Sequence, residues 1–347
     1  MNDDLLMLRC LQLAKLGEGS VSPNPMVGAV VFYDNKIIGE GYHKVYGQSH
    51  AEPNAINSVE DKNLLKDSTL YVSLEPCCHW GKTPPCADLI VRSGIRKVVI
   101  CNNDPNPKVD GGGIKILKDA GIEVISGVLE KEGRELNKRF FSRHEKKRPY
   151  IILKWAETLD GFMDIERRQG NKEDYWITND ALRVWAHHQR SIEDCVLVGK
   201  RTVLNDNPKL NVRYYFGKNP IRMTIDRVLS IPNDRFLYDG SQQTIIFNDI
   251  KEDVSGNISY IRLDFEKDIL EQVIHYIYNI GKSSLVVEGG RFTLEEFIKS
   301  NLWDEANVLV GNKNFERGLR SPKNLIEGKY SNRVCYEYDS IKYYYNI

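Results

Sequence analysis

The sequence predicts two α/β domains in tandem, and three observations carry that prediction. The chain has 347 residues, long for one hydrophobic core and natural for two. In both halves, short apolar runs of strand length alternate with amphipathic helical patterns, as layered α/β units require. Between the halves lies a charged, mostly basic stretch, Lys131 to Arg148, ending Lys146-Lys147-Arg148-Pro149. Its amphipathic part, with Leu136, Phe140 and Phe141, reads as closing the first domain, and the rest as a solvated linker. Residues 1–147 are assigned to the first domain and 148–347 to the second.

In order along the first half, Asp3 to Leu16 reads as a helix with Leu6, Cys10, Leu13 and Ala14 on one face. Ser22-Pro23-Asn24-Pro25 breaks it. Met26 to Tyr33 is a continuous apolar strand, Asp34-Asn35 a turn, and Lys36 to Tyr42 the return of a hairpin. Ala51, Ala55, Ile56 and Val59 support a helix running on from His50, followed by a strand from Thr69 to Leu74. Thr83-Pro84-Pro85 reads as an N-cap and first turn, which starts a helix at Cys86 that runs to Arg92. A strand from Lys97 to Cys101 and the Gly111 to Ala120 region follow.

In the second half, strands are expected at Tyr150 to Leu153, Cys195 to Gly199, Ile221 to Ile225, Thr244 to Phe247, Ser284 to Glu288 and Asn307 to Val310. Helical patterns at Asp180 to Arg190, Lys267 to Tyr278 and Thr293 to Ser300 lie between them. His187-His188 read as exposed helix residues. No G-x-G-x-x-G follows a strand, so a Rossmann dinucleotide site is not supported. Val286-Val287-Glu288-Gly289-Gly290-Arg291 is a strand running through glycines into a helix, whose first amides suit a pyrophosphate.

Charge and composition exclude several classes. Lysine plus arginine and aspartate plus glutamate each number 48, so the formal net charge is zero. With no long basic stripe, no nucleic-acid partner is expected. The longest apolar run, Met26 to Tyr33, is far too short to cross a bilayer, and the start Met1-Asn2-Asp3-Asp4 is acidic. No membrane partner and a cytoplasmic location are expected. Seven cysteines, an odd number, fit a reducing compartment and a metal role rather than a disulfide frame. Cys10, Cys101, Cys195 and Cys335 read as small buried hydrophobes. Oligomeric state is left open, a homo-oligomer included.

The chemistry concentrates between Gly47 and Cys86. His50-Ala51-Glu52 is followed by Pro76-Cys77-Cys78-His79-Trp80-Gly81-Lys82-Thr83-Pro84-Pro85-Cys86. One imidazole and two thiolates, with a carboxylate that need not touch the metal, are what a catalytic zinc site requires, because the fourth position must stay open for water. His50, Cys77 and Cys86 are assigned to zinc and Glu52 to proton transfer, the pattern of hydrolytic deaminases, although eight residues rather than two separate the cysteines. Residues two apart on a regular helix point nearly opposite ways, so His50 should sit at a helix start. A closed structural site would draw a fourth ligand from Cys78 or His79, but would have no use for Glu52.

Taken together, His50-Ala51-Glu52, Glu75-Pro76-Cys77 and Gly81-Lys82-Thr83-Pro84-Pro85-Cys86 closely resemble the bifunctional riboflavin-biosynthesis deaminase/reductase family. The resemblance implies a cytidine-deaminase-like domain followed by a dihydrofolate-reductase-like domain that uses NADPH. It also implies substrate contacts at Asn24, His43, His79, Lys82, Asp104 and Asn106, with Lys82 as phosphate partner. Without it, Pro23-Asn24-Pro25 and Asp104-Pro105-Asn106-Pro107 would read as surface turns.

In the second half, Lys154-Trp155-Ala156-Glu157-Thr158-Leu159-Asp160-Gly161, Trp176-Ile177-Thr178, the Gly199 to Arg213 stretch and Glu288-Gly289-Gly290 match the same family. By position, Ala156, Trp176, Thr202, Asp206 and Gly290 fall to the cofactor. Asp174, Arg190, Leu210, Arg213 and Glu288 fall to the substrate, with the two arginines suited to a phosphate clamp. The implied reactions are hydrolytic deamination of 2,5-diamino-6-ribosylamino-4(3H)-pyrimidinone 5′-phosphate and NADPH-dependent reduction of its ribosyl chain to ribityl. The alternative is a zinc deaminase of another base, cytosine or a tRNA adenosine, with a non-catalytic second domain.

Overall fold

The structure, a computed structural model, describes residues 2–81, 84–107, 109–165, 176–322, 326 and 330–346. It divides into two compact units, Met1–Lys147 and Arg148–Ile347.

The first unit contains α1 (Asp3–Lys15), β1 (Gly28–Tyr33), β2 (Lys36–Tyr42), α2 (Ala51–Ser58), β3 (Thr69–Leu74) and α3 (Cys86–Ser93). β4 (Lys97–Asn102), α4 (Gly112–Asp119), β5 (Glu123–Ser126), α5 (Glu130–Leu136) and α6 (Lys138–Glu145) complete it. Among the described residues its strands form one sheet in the order β2-β1-β3-β4-β5. β1 runs antiparallel to β2 and β3, whereas β3, β4 and β5 are parallel.

Alternation along the strands builds two cores, because successive side chains leave opposite faces of a sheet. Ala29, Val31, Leu70, Val72, Val98 and Ile100 meet Ala55 of α2, Ile90 of α3 and Leu117 of α4. Val30, Tyr71, Val99 and Cys101 meet Leu6, Met7 and Cys10 of α1. The result is a helix–sheet–helix sandwich.

Strand direction then decides where the loops go. The C-terminal ends of parallel β3 and β4 lie side by side, and antiparallel β1 begins where β3 ends: the Gly28 amide donates to Ser73 Oγ at 3.0 Å. Tyr42, the end of β2, pairs with Gly28. The segments before β1 and after β2, β3 and β4 therefore converge on one end of the sheet. These segments carry Asn24, His43, Cys77 and Asp104.

The second unit contains β6 (Tyr150–Thr158), β7 (Phe162–Asp164), α7 (Asp180–Ile192), β8 (Cys195–Gly199), α8 (Lys200–Asp206), β9 (Ile221–Ile225), β10 (Thr244–Asn248), β11 (Asp253–Ser255) and β12 (Ile258–Arg262). α9 (Ile269–Asn279), β13 (Ser284–Val287), α10 (Arg291–Lys299), β14 (Glu305–Gly311), β15 (Leu319–Arg320), β16 (Tyr330–Tyr336) and β17 (Asp339–Tyr345) follow. Its main sheet has the order β11-β12-β10-β9-β8-β13-β6-β14-β17-β16, parallel from β12 to β14 and antiparallel at both edges. One face packs Leu153, Leu197, Met223, Phe247, Leu285 and Val308 against α9 and α10. The other carries Val196, Val198 and Ile246 against Val203 of α8.

Several expectations need correction. Pro85 is the N-cap of α3, extended at ψ 132°, and not part of its first turn; Thr83 lies outside the described residues. Cys335, on the edge strand β16, is exposed rather than buried. The basic stretch is not a solvated linker throughout: Arg148 pairs with Asp304 at 2.5 and 2.8 Å, both largely buried. The β16–β17 hairpin, α5 and α8 are elements that periodicity did not reveal.

Candidate active site

α2 begins at Ala51, with His50 as its N-cap at φ −74°, ψ 176°, and the imidazole makes no capping bond. That extended backbone lets His50 and Glu52 face one cavity although they are only two residues apart, as the sequence argument required. His50 Nδ1 lies 3.3 Å from Cys86 Sγ and 3.5 Å from Cys77 Sγ. All three ligand atoms fall within 4.8 Å of one another. Tetrahedral zinc with ordinary Zn–N and Zn–S bonds needs N···S edges of about 3.6 Å, close to both N···S distances here.

The amide of Cys86, first in α3, donates to Cys77 Sγ at 3.3 Å. The helix N-terminus thus serves the Cys77 sulfur. That thiol is held well below its usual range, first by the Cys86 thiol and then by His50, while Cys86 is pushed up by sharing the same proton. Glu52 is 3% exposed and its Oε2 has no hydrogen-bond partner. Burial, with the Cys77 sulfur adding to it, pushes this carboxyl up to about 7. A buried carboxyl beside, but not needed by, a three-ligand metal cluster is what proton shuttling demands.

These groups line a cavity of about 400 Å3 that also receives Asn24, His43, His79, Asp104 and Asn106. His43 is buried, its Nδ1–H donating to Ser49 O at 3.1 Å, so its Nε2 accepts from Asn24 Nδ2 at 3.2 Å. The pairing orients the Asn24 amide with Oδ1 as its remaining acceptor. His79 has a buried, unpartnered Nδ1. Asp104 accepts from the Asn106 amide at 2.8 Å, and burial pushes it up to about 7. Lys82 lies outside the described residues.

Glu75 enters the sequence reading only as part of the Glu75-Pro76-Cys77 motif, with no role of its own. It is 3% exposed and accepts from the amides of Asp104, Gly111 and Ile114 at 3.1 to 3.2 Å. One carboxylate therefore ties the strand end that leads into Cys77 to the loop carrying Asp104 and Asn106. Gly113 completes that contact: a Cβ there would meet Pro76 O at 1.9 Å. Only glycine lets α4 approach so closely.

In the second unit, parallel strands again place loops at one end. The Gly199 amide donates to Gly289 O at 2.9 Å, and the Gly290 amide donates to Thr202 Oγ1 at 2.8 Å. Gly289 has φ +124°, with open space where a Cβ would stand, and Gly290 is the N-cap of α10. This cradle suits a phosphate-bearing cofactor. Ala156 is half-buried on β6, and Asp206 closes α8 on the exposed side. Exposed Trp176 has the Arg183 guanidinium 4.5 Å from its ring. Asp174 lies outside the described residues.

A family model described as the cytidine and deoxycytidylate deaminase zinc-binding region matches residues 1–102, and one described as the RibD C-terminal domain matches residues 149–314. The riboflavin biosynthesis protein RibD of Aquifex aeolicus is 40% identical over 322 residues, covering 91% of this chain and 89% of the relative. The chain belongs to the RibD family. RibD of Bacillus amyloliquefaciens is 39% identical, over 89% of this chain and 85% of the relative. A Thermotoga maritima diaminohydroxyphosphoribosylaminopyrimidine deaminase/5-amino-6-(5-phosphoribosylamino)uracil reductase superposes with a TM-score of 0.88 at 36% identity, covering 99% of this chain and 98% of the other. The chain is thus a bifunctional riboflavin-biosynthesis enzyme, with a zinc-binding deaminase domain and a reductase domain. The resemblance read from the motifs, and the two-part α/β fold it implied, hold.

Within this RibD chain the two arginines do not form the anticipated clamp. Both arms of the Arg190 fork bind Glu288 at 2.6 Å, and its remaining nitrogen reaches Asn211 O at 3.3 Å. Lys154 Nζ lies 3.6 Å from the same carboxylate. Arg213 is exposed and binds Asn211 Oδ1 at 3.0 Å. Leu210 is 2% exposed, with φ +52°, and packs with Val203 and Ile231. Its side chain shapes the loop from inside.

His187 is buried, not exposed as expected, and its Nδ1 accepts the Arg213 amide at 3.1 Å. Burial first, then Arg190 and Arg213, push it down to about 4. The unfolded histidine takes its proton near pH 6.5, so between 6.5 and 4 the unfolded chain binds more protons and native stability falls as pH falls. Urea midpoints across that window should therefore decline with acidity, and His187→Gln should flatten the decline; an unchanged slope would remove His187 as its source.

Proposed function

We propose that the Glu52 pocket hydrolyses the amine from C2 of 2,5-diamino-6-ribosylamino-4(3H)-pyrimidinone 5′-phosphate. The second unit then reduces the ribosyl chain of the product to ribityl with NADPH. The observation that carries the first step is the His50–Cys77–Cys86 cluster beside a buried Glu52 whose Oε2 has no hydrogen-bond partner. Zinc held there supplies Lewis acidity that brings a water within reach of deprotonation near neutral pH. Glu52 takes the proton of the attacking water and returns it to the departing amine. The Asn24 amide, fixed by His43, and the Asp104–Asn106 loop, fixed by Glu75, hold the edge of the base.

For the second step, the Thr202–Gly290 cradle and the first amides of α10 receive the cofactor's pyrophosphate. Ala156, Trp176 and Asp206 line the cofactor, and Asp174, Arg213 and the Leu210 loop the sugar phosphate. The Arg190–Glu288–Lys154 cluster supports the substrate floor. NADPH supplies the hydride, and the chain supplies position. Residues 1–147 carry the deaminase and 148–347 the reductase. Seven cysteines with no disulfide among them suit a cytoplasmic setting. No helix among the described residues is long and apolar enough to cross a membrane.

The test is incubation with the pyrimidinone phosphate, with and without NADPH, with products resolved by mass. Exchange of one amine for oxygen is expected without NADPH, and a further two hydrogens with it. Turnover of free cytidine instead would support another base as substrate. A chelator should abolish ammonia release, and added zinc restore it, while NADPH oxidation on pre-deaminated substrate continues. Loss of both activities to the chelator would contradict separate sites.

A further inference from the structure

We propose that Arg143 of α6 receives the substrate's phosphate in the deaminase pocket, with the His144 ring as a second donor beside it. The inference rests on the reading that this substrate is a phosphate monoester. Phe140, Arg143 and His144 stand at i, i+3 and i+4, so they share one face of the helix, and all three line the cavity. The Phe140 and His144 rings lie 4.6 Å apart at an interplanar angle of 59°, which sets the imidazole against an apolar anchor.

The helix is pinned where it would have to be. Asn137, its N-cap, is 3% exposed and binds both the amide and the carbonyl of Met26, at 2.8 and 2.9 Å. Met26 is two residues from Asn24, so the same contact that fixes α6 also fixes the segment reading the base edge. Phe141, buried, has the Arg134 guanidinium 4.3 Å from its ring.

Charge makes the argument. The cavity contains three carboxylates, Glu52, Glu75 and Asp104, and among its described lining residues Arg143 is the only arginine or lysine. A phosphate monoester carries between one and two negative charges at neutral pH and enters such a pocket only where a fixed cation meets it. A guanidinium is permanently charged and matches two phosphate oxygens at once.

The experiment compares deamination of the phosphorylated substrate with that of its dephosphorylated counterpart by the zinc-loaded full chain. Wild type, Arg143→Gln, Arg143→Lys and Lys82→Gln are measured, with inorganic phosphate as a competing probe. The ratio of kcat/KM values, phosphorylated over dephosphorylated, should fall at least tenfold in Arg143→Gln, mainly through KM. Inhibition by inorganic phosphate should weaken in parallel. Arg143→Lys should lie between, because it keeps the charge and loses the fork.

A wild-type ratio in folded, zinc-loaded Arg143→Gln, or discrimination lost wholly in Lys82→Gln, overturns the proposal. Should Arg143→Gln fail to fold, wild-type selectivity and phosphate inhibition in Arg143→Lys overturn it instead. Wild type releasing no ammonia from the phosphorylated substrate defeats the functional reading itself, and the inference with it.

Discussion

Glu52→Gln is expected to lower ammonia release about a thousandfold while leaving the zinc content unchanged. The carboxylate lies beside a cluster whose three ligand candidates, His50, Cys77 and Cys86, include no carboxyl group, and the amide replacing it has the same shape but cannot accept the proton of water. Because Glu52 is buried with Oε2 unpartnered, removing its charge relieves a desolvation cost. The thermal midpoint should therefore hold or rise. Ammonia release, bound zinc and Tm measured on one preparation check all three parts. Retained activity would take proton transfer away from Glu52, and lost zinc would make it a ligand.

Glu288→Ala is expected to cost the reductase unit about 3–5 kcal/mol, the usual penalty for leaving buried charge without its partner. Arg190 and Lys154 side chains are 12% and 15% exposed, and both lose their counter-charge at once. Glu288 is held down to about 2, opposing its burial, by Arg190 and then Lys154. A lowered carboxylate stabilises the native state above its unfolded value near 4.3 and loses that contribution as pH falls toward 2. At neutral pH the full penalty should appear as a lower urea midpoint for that unit, with ammonia release retained. A paired replacement, Arg190→Met with Glu288→Leu, should recover most of it, because the cost lies in the orphaned charge. A loss of less than about 1 kcal/mol in Glu288→Ala would show the cluster to be solvated.

Much of the deaminase site was legible because its signals are local. His50 and Glu52 lie within three residues, and the i, i+2 spacing alone demanded a helix start. The ligand types name a borderline-soft ion with an open position. Other parts depend on partners distant in sequence. Glu75 looks like any strand-end carboxylate until parallel pairing of β3 and β4 brings the amides of Asp104, Gly111 and Ile114 to it. Arg143 and His144 sit in a charge run that ordinarily means solvent, whereas the Asn137–Met26 contact and the packing of Phe140 and Phe141 with Leu74 hold α6 against the pocket. Arg222, on β9, is fully buried with Asp239, Thr244 and Phe236 O as partners, a position no periodicity argument assigns to arginine.

Residue order by itself determined the two α/β units, most strand positions and the grouping of His50, Cys77 and Cys86, since periodicity and motif spacing act over a few residues. Tertiary structure alone decided that Arg190 faces Glu288, that His187 is buried and that α6 walls the pocket. The first two follow from strand order, since β8, β13 and β6 are neighbours in the sheet though far apart along the chain, and the third from the Asn137–Met26 contact; neither kind of adjacency leaves a mark on local sequence.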